Sequence, residues 1–162
     1  MENRINIGKV SNTHGIKGEI RILSNFELKD QVFTKGFKLY INNEELIIET
    51  YRPHKEYDMV TLAGYKDIND VLKFKGKQVY INREDIKIES YIIEDLIGLS
   101  VYENNELLGK VSEIVYNSSN ILLSISGNKN FYIPNNNNFI KSVDLENKKI
   151  TVENAKGLIM WK

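Results

Sequence analysis

The sequence predicts an all-β protein, built as two small β-barrels in tandem with one short helix. Three observations carry this. Runs such as Glu19-Ile20-Arg21-Ile22 and Phe37-Lys38-Leu39-Tyr40-Ile41 alternate apolar and polar residues, the period of a strand with one buried face. Short strands recur at roughly 8–12 residue spacing between Gly and Asn turns, a pattern of small barrels and sandwiches. The strand pattern then starts afresh after Ser90. The boundaries expected are 1–87 for the first barrel and 91–162 for the second.

The elements follow in chain order. Arg4 to Val10 reads as a strand that enters a small, polar loop at Ser11-Asn12-Thr13. In His14-Gly15-Ile16-Lys17-Gly18-Glu19, two glycines bracket an apolar residue and a lysine before the strand from Glu19 to Leu23. Glycines so placed supply positive φ or allow a close backbone approach, so Gly15 and Gly18 are expected to shape a tight loop. A short helical turn suits the stretch from Glu27 to Phe33. Phe37–Ile41 and Leu46–Tyr51 are partner strands around Asn42-Asn43. Arg52-Pro53-His54-Lys55 interrupts that pattern, because proline cannot donate to a sheet ladder and sits at a strand end, an edge or a bulge. Tyr57–Leu62 resumes as a strand. Asp67–Phe74 is the clear helix, with Asp67 as N-cap, Ile68, Val71 and Leu72 on one stripe, and Gly76 beyond its end. Gln78–Ile81 is a strand, and residues 82–90 read as a linker.

In the second half, Leu96–Tyr102 and Leu107–Tyr116 read as strands, with Gly109 marking a bend or bulge. Asn117-Ser118-Ser119-Asn120 reads as a turn. Strands follow at Ile121–Ser126, Phe131–Ile133, Phe139–Asp144 and Lys149–Val152.

Composition removes several functions. The 162 residues carry 22 basic and 22 acidic side chains, a net charge of zero. Domains held to nucleic acid by bulk charge are usually strongly basic, so any nucleic-acid contact is expected to be a local patch. The halves differ weakly, at +2 for residues 1–87 and −2 for 88–162, which makes the first barrel the better candidate to face RNA. There is no cysteine, hence no disulfide or thiolate chemistry. The N-terminus lacks the apolar run of a signal peptide, and no apolar stretch approaches the length of a membrane span. A soluble, cytoplasmic protein without membrane contact is expected.

Nothing suggests catalysis. The two histidines, His14 and His54, lie in different loops and are poor material for zinc, so no metal or cofactor is expected. Nucleophile-elbow, phosphate-loop and dinucleotide-binding patterns are absent. The pairs Glu44/Glu45 and Glu84/Asp85 are adjacent in sequence, and on strands such neighbours point to opposite faces. The better candidates are binding residues. If the first barrel brings its loops to one end, His14, Lys17, Arg52, His54 and Lys55 form a donor-rich patch for phosphate or carboxylate; otherwise they are solubilising charges. Tyr51, Tyr57 and Tyr65 could add stacking surface. Tyr91-Ile92-Ile93 either packs inside the protein or forms an exposed apolar contact.

The run Ile7-Gly8-Lys9-Val10 with Thr13-His14-Gly15-Ile16-Lys17-Gly18-Glu19 resembles the opening of the ribosome maturation factor RimM family. Arg52-Pro53-His54-Lys55 and Asp67-Ile68-Asn69-Asp70-Val71 with Gly76 resemble its next signatures. Asp95-Leu96-Ile97-Gly98-Leu99-Ser100-Val101 and Leu108-Gly109-Lys110-Val111 resemble the start of a PRC-barrel domain, and Ile133-Pro134, Val143-Asp144 and Gly157-Leu158 fit its end. The resemblance implies a translation-factor-like six-stranded barrel followed by a PRC barrel. It implies a non-enzymatic, chaperone-like assembly factor that binds the head of the small ribosomal subunit through the nineteenth small-subunit ribosomal protein and promotes rRNA processing. The alternative is a barrel that binds small-subunit rRNA of the head directly through its basic loops. The family often carries paired tyrosines before the Asp-Leu-Ile-Gly-Leu run, implicated in the ribosomal-protein contact; this chain has Tyr91 and then Ile92. By that resemblance Tyr91, Ile92 and Ile93 form the contact. Truncating Tyr91 and Ile92 to alanine is then expected to weaken it with the fold intact. A further departure is Asn120-Ile121, where the family has Asn-Asp.

Overall fold

The computed structural model describes residues 3–117 and 120–159. The chain divides into two compact units, Met1–Ile88 and Glu89–Lys162. In the first, β1 (Arg4–His14), β2 (Glu19–Leu23), β3 (Lys38–Ile41), β4 (Glu44–His54), β5 (Tyr57–Leu62) and β6 (Gln78–Asn82) close into a barrel of order β1-β2-β5-β4-β3-β6. The apolar half of each alternating strand turns inward. Ile5, Ile7, Ile20, Ile22, Leu46, Ile48, Val60, Leu62, Val79 and Ile81 are buried, and the intervening residues face out.

A single turn, α1 (Lys29–Val32), lies beside this core. Phe33 stacks on Tyr51 with ring centroids 5.6 Å apart. Buried Asp58 accepts a hydrogen bond from the Tyr51 hydroxyl at 2.8 Å and an ion pair from Lys29 at 2.8 Å, so its charge is compensated. Burial, and then Asp58, push the Tyr51 phenol up to about 12. The helix expected at Asp67 is α2 (Ile68–Val71), continued by a 3-10 turn at Leu72–Phe74. The Asp67 N–H donates to Asp70 Oδ2 at 3.2 Å, half of a capping box, and Val71 and Phe74 are fully buried.

The second unit is a six-stranded sheet: β7 (Ser100–Glu103), β8 (Glu106–Asn117), β9 (Asn120–Ser126), β10 (Phe131–Pro134), β11 (Ile140–Asp144) and β12 (Lys149–Val152), in the order β10-β9-β8-β7-β12-β11. β12 runs parallel to β7 and the other pairs are antiparallel. Its core is Leu96, Leu99, Val101, Val111, Leu123, Ile125, Phe131, Ile133, Ile150 and Val152. Gly109 sits where pairing slips between Val101 and Tyr102, with φ at +152°, as its place in the strand suggests. A last helical turn, α3, spans Lys156–Ile159.

Three stretches differ from the sequence reading. Ser11-Asn12-Thr13 is not loop: β1 continues to His14, pairing Asn12 with Arg21 and Thr13 with Ile20 after a bulge. Arg52-Pro53-His54 does not break β4, which pairs Pro53 with Asp58 and His54 with Tyr57 at the end of its hairpin. Leu96–Leu99 is not strand. A 3-10 turn covers Ile93–Leu96, Gly98 takes φ +91°, and pairing begins at Ser100. The turn expected at 117–120 falls partly on residues 118 and 119, outside the described residues.

Candidate functional site

The β1–β2 and β4–β5 hairpins are neighbours because β2 pairs with β5, matching Arg21 with Met59 and Ile20 with Val60. Ile20 and Val60 point into the barrel, so Glu19, Arg21, Tyr57 and Met59 point out by strand alternation. Across β4, Met59 opposes Arg52 and Tyr57 opposes His54; across β1, Glu19 opposes His14. One outer face therefore collects His14, Glu19, Arg21, Arg52, His54 and Tyr57. Met59 is fully buried on this face, between its cross-strand neighbours Arg21 and Arg52.

The contacts on this face are specific. The His14 and His54 rings lie 6.1 Å apart, tilted by 44°. Arg21 donates from Nη2 to His14 Nδ1 at 3.0 Å, which requires that nitrogen to be unprotonated and leaves a neutral ring its proton on Nε2. The Arg21 guanidinium also stands 5.4 Å from the Tyr57 ring centroid. Arg52 grips both oxygens of Glu19, at 2.8 and 2.9 Å. That bidentate bond holds the Glu19 carboxyl below the usual carboxylate range, with lesser help from the nearby histidines, and raises the Arg52 guanidinium in turn. Arg52 is thus already engaged within the chain. Among the described residues the partners of Arg21 are the His14 ring and the Tyr57 ring, and no carboxylate offsets its charge.

The loop beyond β1 is held firmly. Gly15 and Gly18 take φ of +71° and +87°. A side chain on Gly18 would collide with the Tyr65 carbonyl, and the Ile68 N–H donates to the Ile16 carbonyl at 3.0 Å. Both glycines serve the structural purpose expected of them. Ile16, between them, is 75% exposed, and Lys17 is exposed beside it. Lys55 is exposed in the β4–β5 turn with φ +58°.

The structure brings His14 together with His54 and places Arg52 on the same face. Lys17 and Lys55 sit on the two turns of the adjacent hairpins. Tyr57, a candidate for stacking surface, lies on this face, and Arg21 joins it without having been singled out. The only signal for Arg21 was its outward position in the alternation from Glu19 to Leu23.

In the second unit, Tyr91 is half-buried and packs against the core. Ile93 belongs to that core at 6% exposure, and Ile92 is 1% exposed. The Ile92 N–H donates to Asp95 Oδ2 at 3.0 Å, fixing the 3-10 turn. An exposed apolar contact made by all three residues is therefore not what the structure holds: two of the side chains are shielded from solvent. Truncating Ile92 would open a cavity rather than leave the fold intact.

Comparison with known proteins matches both halves of the chain to domain families. Residues 5–86 match the RimM N-terminal domain and residues 93–158 match the RimM PRC barrel domain. The ribosome maturation factor RimM of Halalkalibacterium halodurans is 35% identical, covering 98% of this chain and 99% of that protein. The ribosome maturation factor RimM of Staphylococcus aureus (strain bovine RF122) is 37% identical, covering 96% and 99%. The solution structure of the N-terminal domain of RimM from Thermus thermophilus aligns at 20% identity and a TM-score of 0.46, over 54% of this chain and 98% of that one. With both domain models matched in order and relatives aligned end to end, the chain belongs to the RimM family of ribosome maturation factors.

Proposed function

We propose that this protein is a cytoplasmic, non-catalytic factor in assembly of the small ribosomal subunit. It binds the subunit head through the nineteenth small-subunit ribosomal protein and promotes subunit maturation and rRNA processing. The observation that carries this is the match of both halves to RimM domains, together with near-full-length identity to ribosome maturation factors. The two domains, 1–87 and 91–162, divide the work: the second carries the protein contact and the first faces RNA.

Tyr91 is the accessible member of the apolar trio and the residue assigned to the ribosomal-protein contact. The Ile92 N–H fixes the adjoining turn through Asp95, and Ile93 belongs to the core against which Tyr91 packs. Such a factor needs no nucleotide hydrolysis. By binding one state of the head more tightly than others it shifts the population toward that state, to the extent of its differential affinity. Calorimetric titration of the full chain against the nineteenth small-subunit ribosomal protein tests the reading. Binding is expected, and Tyr91→Ala is expected to weaken it roughly fivefold or more, as for an interface anchor. No binding by the unmodified chain would overturn it.

A second reading has its own observation. Among the described residues no carboxylate offsets the charge of Arg21, and Lys17 and Lys55 lie on adjacent turns. In this reading His14, Lys17, Arg52, His54 and Lys55, joined by Arg21, bind rRNA directly. Steep salt dependence of affinity for head rRNA, lost in a Lys17→Ala, Arg21→Ala, Lys55→Ala variant, would favour it.

A further inference from the structure

On the β3–β6–β1 side of the first barrel, a cavity of about 240 Å³ opens where β3 meets β6. The two strands pair only at Tyr40 and Tyr80 among the described residues, so the ladder opens on either side of that pair. Among the described residues the lining carries the cations Arg4 and Lys77, the amides of Asn43 and Gln78, and the two phenols, and includes no carboxylate, in a chain with as many acidic as basic side chains. Neither cation has a carboxylate partner among the described residues.

The cavity is organised in advance. The Arg4 guanidinium lies 3.9 Å from the Tyr40 ring centroid, and Tyr40 is buried although it points outward from the barrel. The Tyr40 hydroxyl accepts from Asn82 Nδ2 at 3.0 Å and donates to Glu45 at 3.3 Å, so the ring under Arg4 is fixed. The Arg4 Nε–H is shut off from solvent and meets no acceptor among the described residues. Gln78 Oε1 accepts from Asn6 Nδ2 at 2.9 Å, so the Gln78 amino group is the part left for a ligand. Tyr80 is 37% exposed, and no aromatic ring or cation among the described residues covers its face.

We infer that this cavity holds one nucleotide of a single-stranded RNA, its phosphate on Arg4 and Lys77 and its base stacked on Tyr80. The cations call for an anion and the open ring calls for a flat partner; a nucleotide is both. The volume is below the roughly 300–1,000 Å³ of sites that enclose a whole small-molecule ligand, and the cavity is open, which suits one unit of a strand that continues across the surface. An acidic peptide would use the cations and leave Tyr80 and the amides idle. The inference leans on the ribosome-assembly reading only in choosing RNA over DNA, and it adds a site apart from the His14–His54 face.

Fluorescence anisotropy with a 5′-fluorescein-labelled oligouridylate of ten residues, titrated with the full chain, tests it. Tyr80→Ala is expected to weaken binding roughly five- to hundredfold, the loss of one base stack. Lys77→Ala is expected to flatten the slope of log affinity against log salt by roughly 0.7. A Lys110→Ala, Lys129→Ala control, at exposed lysines outside both basic sites, is expected to bind like the unmodified chain, and circular dichroism checks that all variants fold. No binding, or binding that neither Tyr80→Ala nor Lys77→Ala alters, would overturn the inference. So would a polyglutamate peptide that competes equally while Tyr80→Ala changes nothing; it would indicate an acidic peptide. Cosedimentation with small ribosomal subunits is scored separately. RNA binding lost at Tyr80 without subunit association would sustain the cavity and sink the assembly reading, and subunit association without RNA binding would do the reverse.

Discussion

Gly18 is the residue on which the β1–β2 loop depends. Its φ of +87° disfavours any side chain, and a Cβ would meet the Tyr65 carbonyl. Gly15 needs only the left-handed backbone, with open space around it. Gly18→Ala is therefore expected to destabilise the protein by roughly 2–4 kcal/mol and Gly15→Ala by about 1–2 kcal/mol, read as shifts in urea midpoint at constant m-value. Equal effects would mean that the loop is not docked on residues 65–68. The Glu19–Arg52 pair has a pH signature of its own. Glu19 titrates lower in the folded chain than in the unfolded one, so its contribution is complete above the usual carboxylate pKa of about 4.3 and is lost as pH falls through the lower folded value. Glu19→Gln is expected to unfold at lower urea than the unmodified chain at pH 7, with the gap narrowing at pH 3. A gap independent of pH would show that the ion pair is not its source. The outward position of Arg21 was legible in sequence, but its bond to His14 was not. That contact depends on the β1–β2 register, which a bulge between Val10 and Asn12 resets.

At the scale of elements, alternation identified strands wherever one face is buried. It failed where hairpins run on past the core. Ser11–Thr13 and Arg52–His54 keep their ladder pairing, but most of their side chains meet solvent, so the apolar period that marks a strand fades. It failed in the opposite sense at Leu96–Leu99, where an apolar run forms a turn because Asp95 caps the Ile92 N–H and Gly98 takes positive φ. The 3-10 turn at Ile93–Leu96 is thus a packed support beneath Tyr91. Ile93→Ala is expected to cost roughly 2–5 kcal/mol of stability, in the range for a large core truncation, whereas Tyr91→Ala is expected to cost much less. Thermal unfolding of the two variants checks this, and an Ile93→Ala variant as stable as Tyr91→Ala would mean the turn is not part of the core.

For the whole molecule, two compact units and a net charge of zero set what binding can look like. With no bulk charge to attract RNA, the proposed RNA contacts rest on places where cations lack carboxylate partners among the described residues. Arg21 is one such place and the Arg4–Lys77 cavity another. The all-β class and the two-barrel division were legible from turn spacing and the restart after Ser90. Barrel closure was not, since it rests on a β3–β6 contact through Tyr40 and Tyr80, about 40 residues apart, which no local pattern encodes. The family was legible in the Thr13–Glu19 and Asp95–Val101 runs because those residues meet backbone demands at Gly15, Gly18 and Gly98. The most direct test is cosedimentation of the purified full chain with isolated small and large ribosomal subunits. Cofractionation with small subunits, weakened by Tyr91→Ala and absent with large subunits, is the expected result. Failure to associate with small subunits, or equal association with both, would contradict a role in small-subunit assembly.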